Sequence, residues 1–145
     1  MKPEAGRAGR TVKLGRLLQA VPGAELDGSA SADITGLAYD SRRIQPGMLF
    51  FALPGASTDG SLYIDEAVRR GAAAVLCEKT VRLPVRGAAV VRADHARHAM
   101  ADLAAEFHGH PSRRLKVLGI TGPNGKTTTS FMLRDLLRAV GIPAG

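Results

Sequence analysis

"LGITGPNGKTTTSF", residues 118–131, sets Gly122, Asn124 and Gly125 ahead of a lysine and three threonines, with apolar runs on either side. A loop that holds phosphate at a strand-to-helix junction has three requirements. Glycines let the backbone turn tightly and aim its N–H groups at the anion. The helix start adds partial positive charge. A lysine reaches the terminal phosphates while the next Ser or Thr holds magnesium. Gly122, Gly125, Lys126 and Thr127 meet these demands. "LKVLGIT" reads as the strand before the loop, and Leu133, Leu136, Leu137 and Val140 share one face of the helix after it. The spacing is shorter than usual, because only Pro123 and Asn124 lie between the first glycine and the Gly-Lys pair. The competing reading is a glycine-rich turn with an incidental lysine at a helix head. The strand–loop–helix context favours nucleotide binding.

Upstream, short apolar strands alternate with amphipathic helices, the pattern of an α/β fold. Thr11 offers an N-cap for a helix carrying Leu14, Leu17, Leu18 and Val21, which Pro22-Gly23 ends. "DITGLAYDSR" reads as a strand entering a polar turn, and Met48 to Leu53 as a buried strand. Ile64, Ala67, Val68 and Gly71 lie on one helical face. "GAAAVLCE" and "AAVVRA" read as further strands. Asp94 is placed to cap a helix whose Ala96, Met100, Leu103, Ala104 and Phe107 face one way. "HGHPSRR", residues 108–114, breaks the pattern and reads as a linker. Two domains are therefore expected, 1–111 and 112–145.

The 145 residues are 45% hydrophobic and 23% charged, which suits a globular protein with a core. No apolar run approaches the ~20 residues of a membrane span, and the polar N-terminus lacks the apolar stretch of a signal peptide. A cytoplasmic protein without a membrane partner is expected. The single cysteine, Cys77, cannot form an internal disulfide and reads as a small core residue rather than a nucleophile. A net charge of +7, with 15 arginines, suits an anionic partner. Nucleic acid is disfavoured, because aromatics are only 4% of the chain and the arginines are scattered. His95, His98, His108 and His110 lack a carboxylate or cysteine to complete a metal set and read as surface residues. Arg69-Arg70 and Arg113-Arg114 read as solvated faces.

"TGPNGKTTT" resembles the ATP loop of the Mur ligases, in which a shortened Thr-Gly-x-Asn-Gly-Lys-Thr-Thr form is usual. "DSRRIQPGMLFFALPGASTDG", residues 40–60, is similar to the N-terminal domain of that family, as is "AVRRGAAAVL". "HPSRRLKVLGITG" is more similar to the branch that adds the third amino acid to the peptidoglycan precursor than to the dipeptide-adding branch. The resemblance runs from about residue 14 to the end. It implies a small α/β N-terminal substrate domain followed by the first strand, phosphate loop and helix of a central ATPase domain. It further implies that ATP and Mg2+ drive the joining of UDP-N-acetylmuramoyl-L-alanyl-D-glutamate to meso-diaminopimelate or L-lysine, through a carboxylate activated as an acyl phosphate.

Carried over residue by residue, the resemblance implies ATP binding by Gly122, Pro123, Asn124, Gly125, Lys126, Thr127 and Thr128. Lys126 acts on the β- and γ-phosphates and Thr127 helps to place the magnesium. Tyr39, Ser41, Ala56, Ser57 and Thr58 contact the UDP part of the precursor. For Ser41 taken alone, a turn residue bonding its own backbone is the other reading. Pro123 departs from the family's usual Thr or Ser, and its missing N–H removes one potential donor to phosphate.

The family's further magnesium ligands, its modified lysine and its amino-acid-binding domain have no counterpart in these 145 residues, so a fragment that is inactive alone is expected. A monomer is also expected. The rival readings are the dipeptide-adding ligase of the same family and a non-catalytic UDP-sugar or nucleotide-binding module.

Overall fold

The computed structural model describes residues 10–55, 58–82 and 84–145. The chain divides into two compact units, the first reaching Pro111 and the second spanning Ser112–Gly145.

In the first unit, β1 (Val12–Lys13) leads directly into α1 (Leu14–Leu18), and β2 (Glu25–Asp27) follows. After β3 (Asp33–Ile34) come β4 (Gly36–Ala38), β5 (Met48–Phe51), α2 (Ile64–Arg69), β6 (Ala74–Glu78), β7 (Ala89–Ala93) and α3 (Ala96–His108). A five-stranded sheet has the order β2-β7-β6-β5-β4, parallel from β4 through β7, with β2 antiparallel at one edge. β1 and β3 form a separate antiparallel pair.

Side-chain alternation along the central strands covers both faces of this sheet. Leu49 and Phe51 of β5, Leu76 of β6 and Val91 of β7 join Leu14 and Leu17 of α1 and Leu103 and Phe107 of α3 in one core. Phe50, Val75, Cys77 and Val90, each one residue out of step, pack with Ile64 and Ala67 of α2 on the other. Cys77 is thus a core residue, as its sequence setting predicts, and burial pushes its thiol up.

Several sequence expectations are corrected at element ends. Thr11 does not cap α1. The N-cap is Lys13, without a side-chain bond, because Val12–Lys13 pairs with β3 and holds the entry instead. Asp94 does not cap α3 either; His95 is the N-cap, and Asp94 pairs with Lys79 at 3.1 Å. The expected strand over "DITGLAYDSR" is split at Thr35, whose hydroxyl donates to the Pro46 carbonyl. The buried face of α3 includes Ala99, with Met100 and Ala104 at its margin.

A short helical turn, Pro111–Arg113, runs across the boundary in sequence, and the second unit holds α4 (Lys126–Ala139). Residues 115–121 form no strand ladder. An apolar run becomes a strand only when a neighbour satisfies its backbone, and none does so here.

Candidate nucleotide and substrate sites

The polar turn after β4 is built by adjacent carboxylate and hydroxyl side chains. Asp40 accepts the Arg42 backbone N–H at 3.0 Å and grips the Arg42 guanidinium through Nε at 3.0 Å and Nη2 at 2.9 Å. These bonds hold the Asp40 carboxyl below the usual carboxylate range. The 3-10 turn Ser41–Arg43 follows, and Ser41 is only 6% exposed. Its Oγ donates to Glu66 Oε2 of α2 at 2.8 Å rather than to its own backbone. Glu66 Oε1 in turn accepts from Arg70 Nε at 3.0 Å, and Arg70 Nη1 reaches the Arg42 carbonyl at 3.4 Å. The Ser41 hydrogen bond, with help from Arg70, draws the Glu66 carboxyl below its ordinary value. Tyr39, two residues before Ser41, is 72% exposed.

The loop after β5 is closed at its base. Pro54 bridges to Asp59, and the Gly60 N–H donates to the Leu53 carbonyl at 2.9 Å. A Cβ on Gly60 would lie 2.6 Å from the Leu53 nitrogen, so the closure requires glycine there. Asp59 accepts from the Ser61 N–H at 2.9 Å, starting the helical turn that enters α2. From the first turn of α3, Arg97 Nη2 donates to the Pro54 carbonyl at 2.7 Å. Thr58 is exposed on this loop; Ala56 and Ser57 lie outside the described residues.

In the second unit, Gly125 takes φ 78°, a left-handed conformation natural to glycine, and serves as N-cap of α4. Gly122 also has positive φ, 146°. Lys126 Nζ folds back over the loop, donating to the Gly122 carbonyl at 2.6 Å and the Pro123 carbonyl at 3.3 Å. Pro123, Asn124, Gly125, Thr127 and Thr128 are exposed, and no side chain caps the helix start. The unfilled first-turn N–H groups, together with a cation held beside them, suit a phosphate chain. The hydroxyl of Thr127, the residue after Lys126, is of a kind that can take a place around magnesium. The first turn of α4 carries no carboxylate to repel such a ligand.

His95 and His98 place their ring centroids 5.4 Å apart, and His110 Nε2 sits 2.8 Å from Glu106 Oε2. Among the described residues no group of three metal-ligating side chains occurs, and no helix is long and apolar enough to cross a membrane. Glu66, Arg70 and Arg97 are additions that sequence reading missed. Glu66 and Arg70 stand four apart on a helix, a legible pair, but nothing in the sequence links either to Ser41.

A parallel α/β unit with a polar turn after β4, joined in sequence to a Gly-Lys loop that starts a helix, is the class this fold defines. The family model described as "Mur ligase family, catalytic domain" matches residues 33–108, more than half of the chain and wholly within the first unit. A UDP-N-acetylmuramoyl-L-alanyl-D-glutamate–2,6-diaminopimelate ligase of Caldanaerobacter subterraneus is 41% identical over 113 residues, covering 78% of this chain and 23% of that protein. A crystal structure of MurF from Acinetobacter baumannii matches with TM-score 0.71 and 27% identity, over 89% of this chain and 28% of that one. A MurF ligase of Thermotoga maritima in complex with ADP matches with TM-score 0.54 and 31% identity, over 71% and 23%. The chain belongs to the Mur ligase family. It spans about a quarter of the length of the curated relatives it matches.

Proposed function

We propose that this chain is the N-terminal part of an ATP-dependent ligase of the MurE type. The whole enzyme would join meso-diaminopimelate or L-lysine to UDP-N-acetylmuramoyl-L-alanyl-D-glutamate during peptidoglycan synthesis. The observation that carries the reading is the 41% identity with a diaminopimelate ligase over 78% of this chain.

In this reading the first unit holds the uridine end of the precursor through Tyr39, Ser41, Ala56, Ser57 and Thr58. The second unit's loop holds ATP through residues 122–128. Lys126 steadies the terminal phosphates and Thr127 helps to hold Mg2+. ATP, when bound, supplies the phosphoryl group that activates the precursor's carboxylate. The chain's own residues would bind and orient: Gly122 and Gly125 shape the loop, the α4 N-terminus would face the anion, and Lys126 would exchange the Gly122 and Pro123 carbonyls for phosphate oxygens. The 145 residues by themselves complete no ligation, because they make up only a quarter of such an enzyme. A cytoplasmic, monomeric protein fits this role.

The structural likeness to MurF favours a second reading, the D-alanyl-D-alanine-adding ligase. Assay of the complete enzyme with ATP and the UDP-dipeptide precursor separates the two. Incorporation of radiolabelled diaminopimelate or lysine supports the first reading, and exclusive use of D-alanyl-D-alanine on a tripeptide precursor overturns it. Failure to ligate any amino acid, with uridine nucleotide still bound, would identify a non-catalytic binding module.

A further inference from the structure

Ser41 is the one buried polar residue among those described, and its hydroxyl carries a single proton. That proton is committed to Glu66 Oε2 at 2.8 Å. Glu66 is kept ionised, and so acceptor-only, by the Ser41 bond and by Arg70, whose guanidinium also anchors to the Arg42 carbonyl of the Ser41 turn. The carboxylate is thus fixed to α2 on one side and to the turn on the other. With its proton engaged, the Ser41 oxygen offers a ligand only lone pairs.

This has a chemical consequence for a uridine nucleotide. Phosphate oxygens at neutral pH are acceptors and find no donor in a hydroxyl whose proton is already taken. The imide N–H of uracil is a donor and matches it. Cytosine presents an unprotonated ring nitrogen at the same position and opposes lone pair to lone pair. We infer that Glu66 is a positioning residue that holds the Ser41 proton, makes Ser41 Oγ an acceptor, and so selects a base bearing an imide N–H over cytosine and over the phosphates. The inference rests on the proposal that the Ser41 turn contacts the uridine part of the precursor.

The test is NMR titration of the 145-residue chain with UDP, CDP and inorganic pyrophosphate, comparing wild type with Ser41→Ala, Glu66→Ala and Glu66→Gln. In the wild type UDP should bind about tenfold more tightly than CDP, since the mismatch leaves a polar group unpaired, with shifts at residues 39–43. Glu66→Ala frees the Ser41 proton to turn toward the ligand. Its UDP-to-CDP ratio should fall to within about twofold, while pyrophosphate binds no worse. Glu66→Gln retains an acceptor for the Ser41 proton and should restore the preference, an outcome that a merely structural role for Glu66 does not produce. Amide spectra establish that each variant is folded; if Glu66→Ala is not, the pair Glu66→Gln and Ser41→Ala decides, the first keeping the UDP preference and the second losing it. UDP binding with an unchanged UDP-to-CDP ratio in Ser41→Ala overturns the role of Glu66 and leaves the uridine site standing. No shift with UDP at millimolar concentration overturns both.

Discussion

Lys126 illustrates a residue whose setting is local enough to read from sequence, because its loop, its helix and its partners lie within a few positions of it. Among the described residues its ammonium bonds only to the Gly122 and Pro123 carbonyls, and the residue is exposed, so it contributes little to folding. In the complete ligase, Lys126→Ala should lower kcat by roughly 10²–10³-fold through loss of charge stabilisation at the transferring phosphoryl group. Phosphate release measures the rate, and circular dichroism should show the helix intact; near-normal turnover would remove Lys126 from the site. Ser41 is the opposite case. Its partner Glu66 is 25 residues away, and the sequence carries no signal joining them. Cys77 is legible again, since an apolar strand surrounds it. Its thiol is buried and pushed up in pKa, so alkylation of the native chain should be at least about 100-fold slower than of the unfolded chain. Rapid native labelling, followed by mass spectrometry, would contradict the packing of β6.

Elements were legible where they bury apolar side chains in a regular rhythm, as β5, β6, β7 and α3 do. β1 and β2 were not, because Val12–Lys13 and Glu25–Asp27 are two and three residues long and mostly polar; only their pairing with β3 and β7 defines them. Residues 115–121 failed in the other direction: their apolar pattern specifies a wish for burial and not the neighbour that would satisfy it. Phe50 lies at the centre of the α2-side core and is 1% exposed. Phe50→Ala should cost about 3–5 kcal/mol, measurable as a fall in the denaturant midpoint of the chain. The C-terminal end of α3 carries a pH-dependent contact. Glu106 is drawn below its ordinary value of 4.5 first by the His110 hydrogen bond and then by Arg16 of α1. A carboxylate with a depressed folded pKa stabilises the fold above its unfolded pKa, and that contribution is lost as pH falls through the folded value. Glu106→Gln should therefore lower the denaturant midpoint at about pH 7 and narrow its gap from wild type by about pH 3. A gap that persists unchanged in acid would assign the effect to packing rather than charge.

At the scale of the whole chain, the two units differ in how completely they bury their apolar residues. The first has its sheet covered on both faces, with Leu14, Leu49, Phe50, Leu76, Val91 and Leu103 at 1% exposure or less. The second leaves Leu115, Val117, Leu118, Met132, Leu136 and Val140 more than 60% exposed. The amphipathic pattern of α4 was legible, and so was its demand for a partner. Leu136 is indeed open, whereas Leu133 and Leu137 are half-buried. Exposed apolar side chains in this number drive association in water. Residues 1–111 alone should therefore fold cooperatively and stay monodisperse at concentrations where the 145-residue chain self-associates and binds a hydrophobic dye. Sedimentation velocity over a concentration series compares the two chains, and amide exchange reports whether β5, β6 and β7 remain protected in the shorter one. The strands should keep their protection, because the cores on both faces of the sheet are made from residues before Pro111. Loss of protection on removing residues 112–145 would mean that the first unit draws stability from the second, and equal self-association of both chains would locate the sticky surface in the first unit instead.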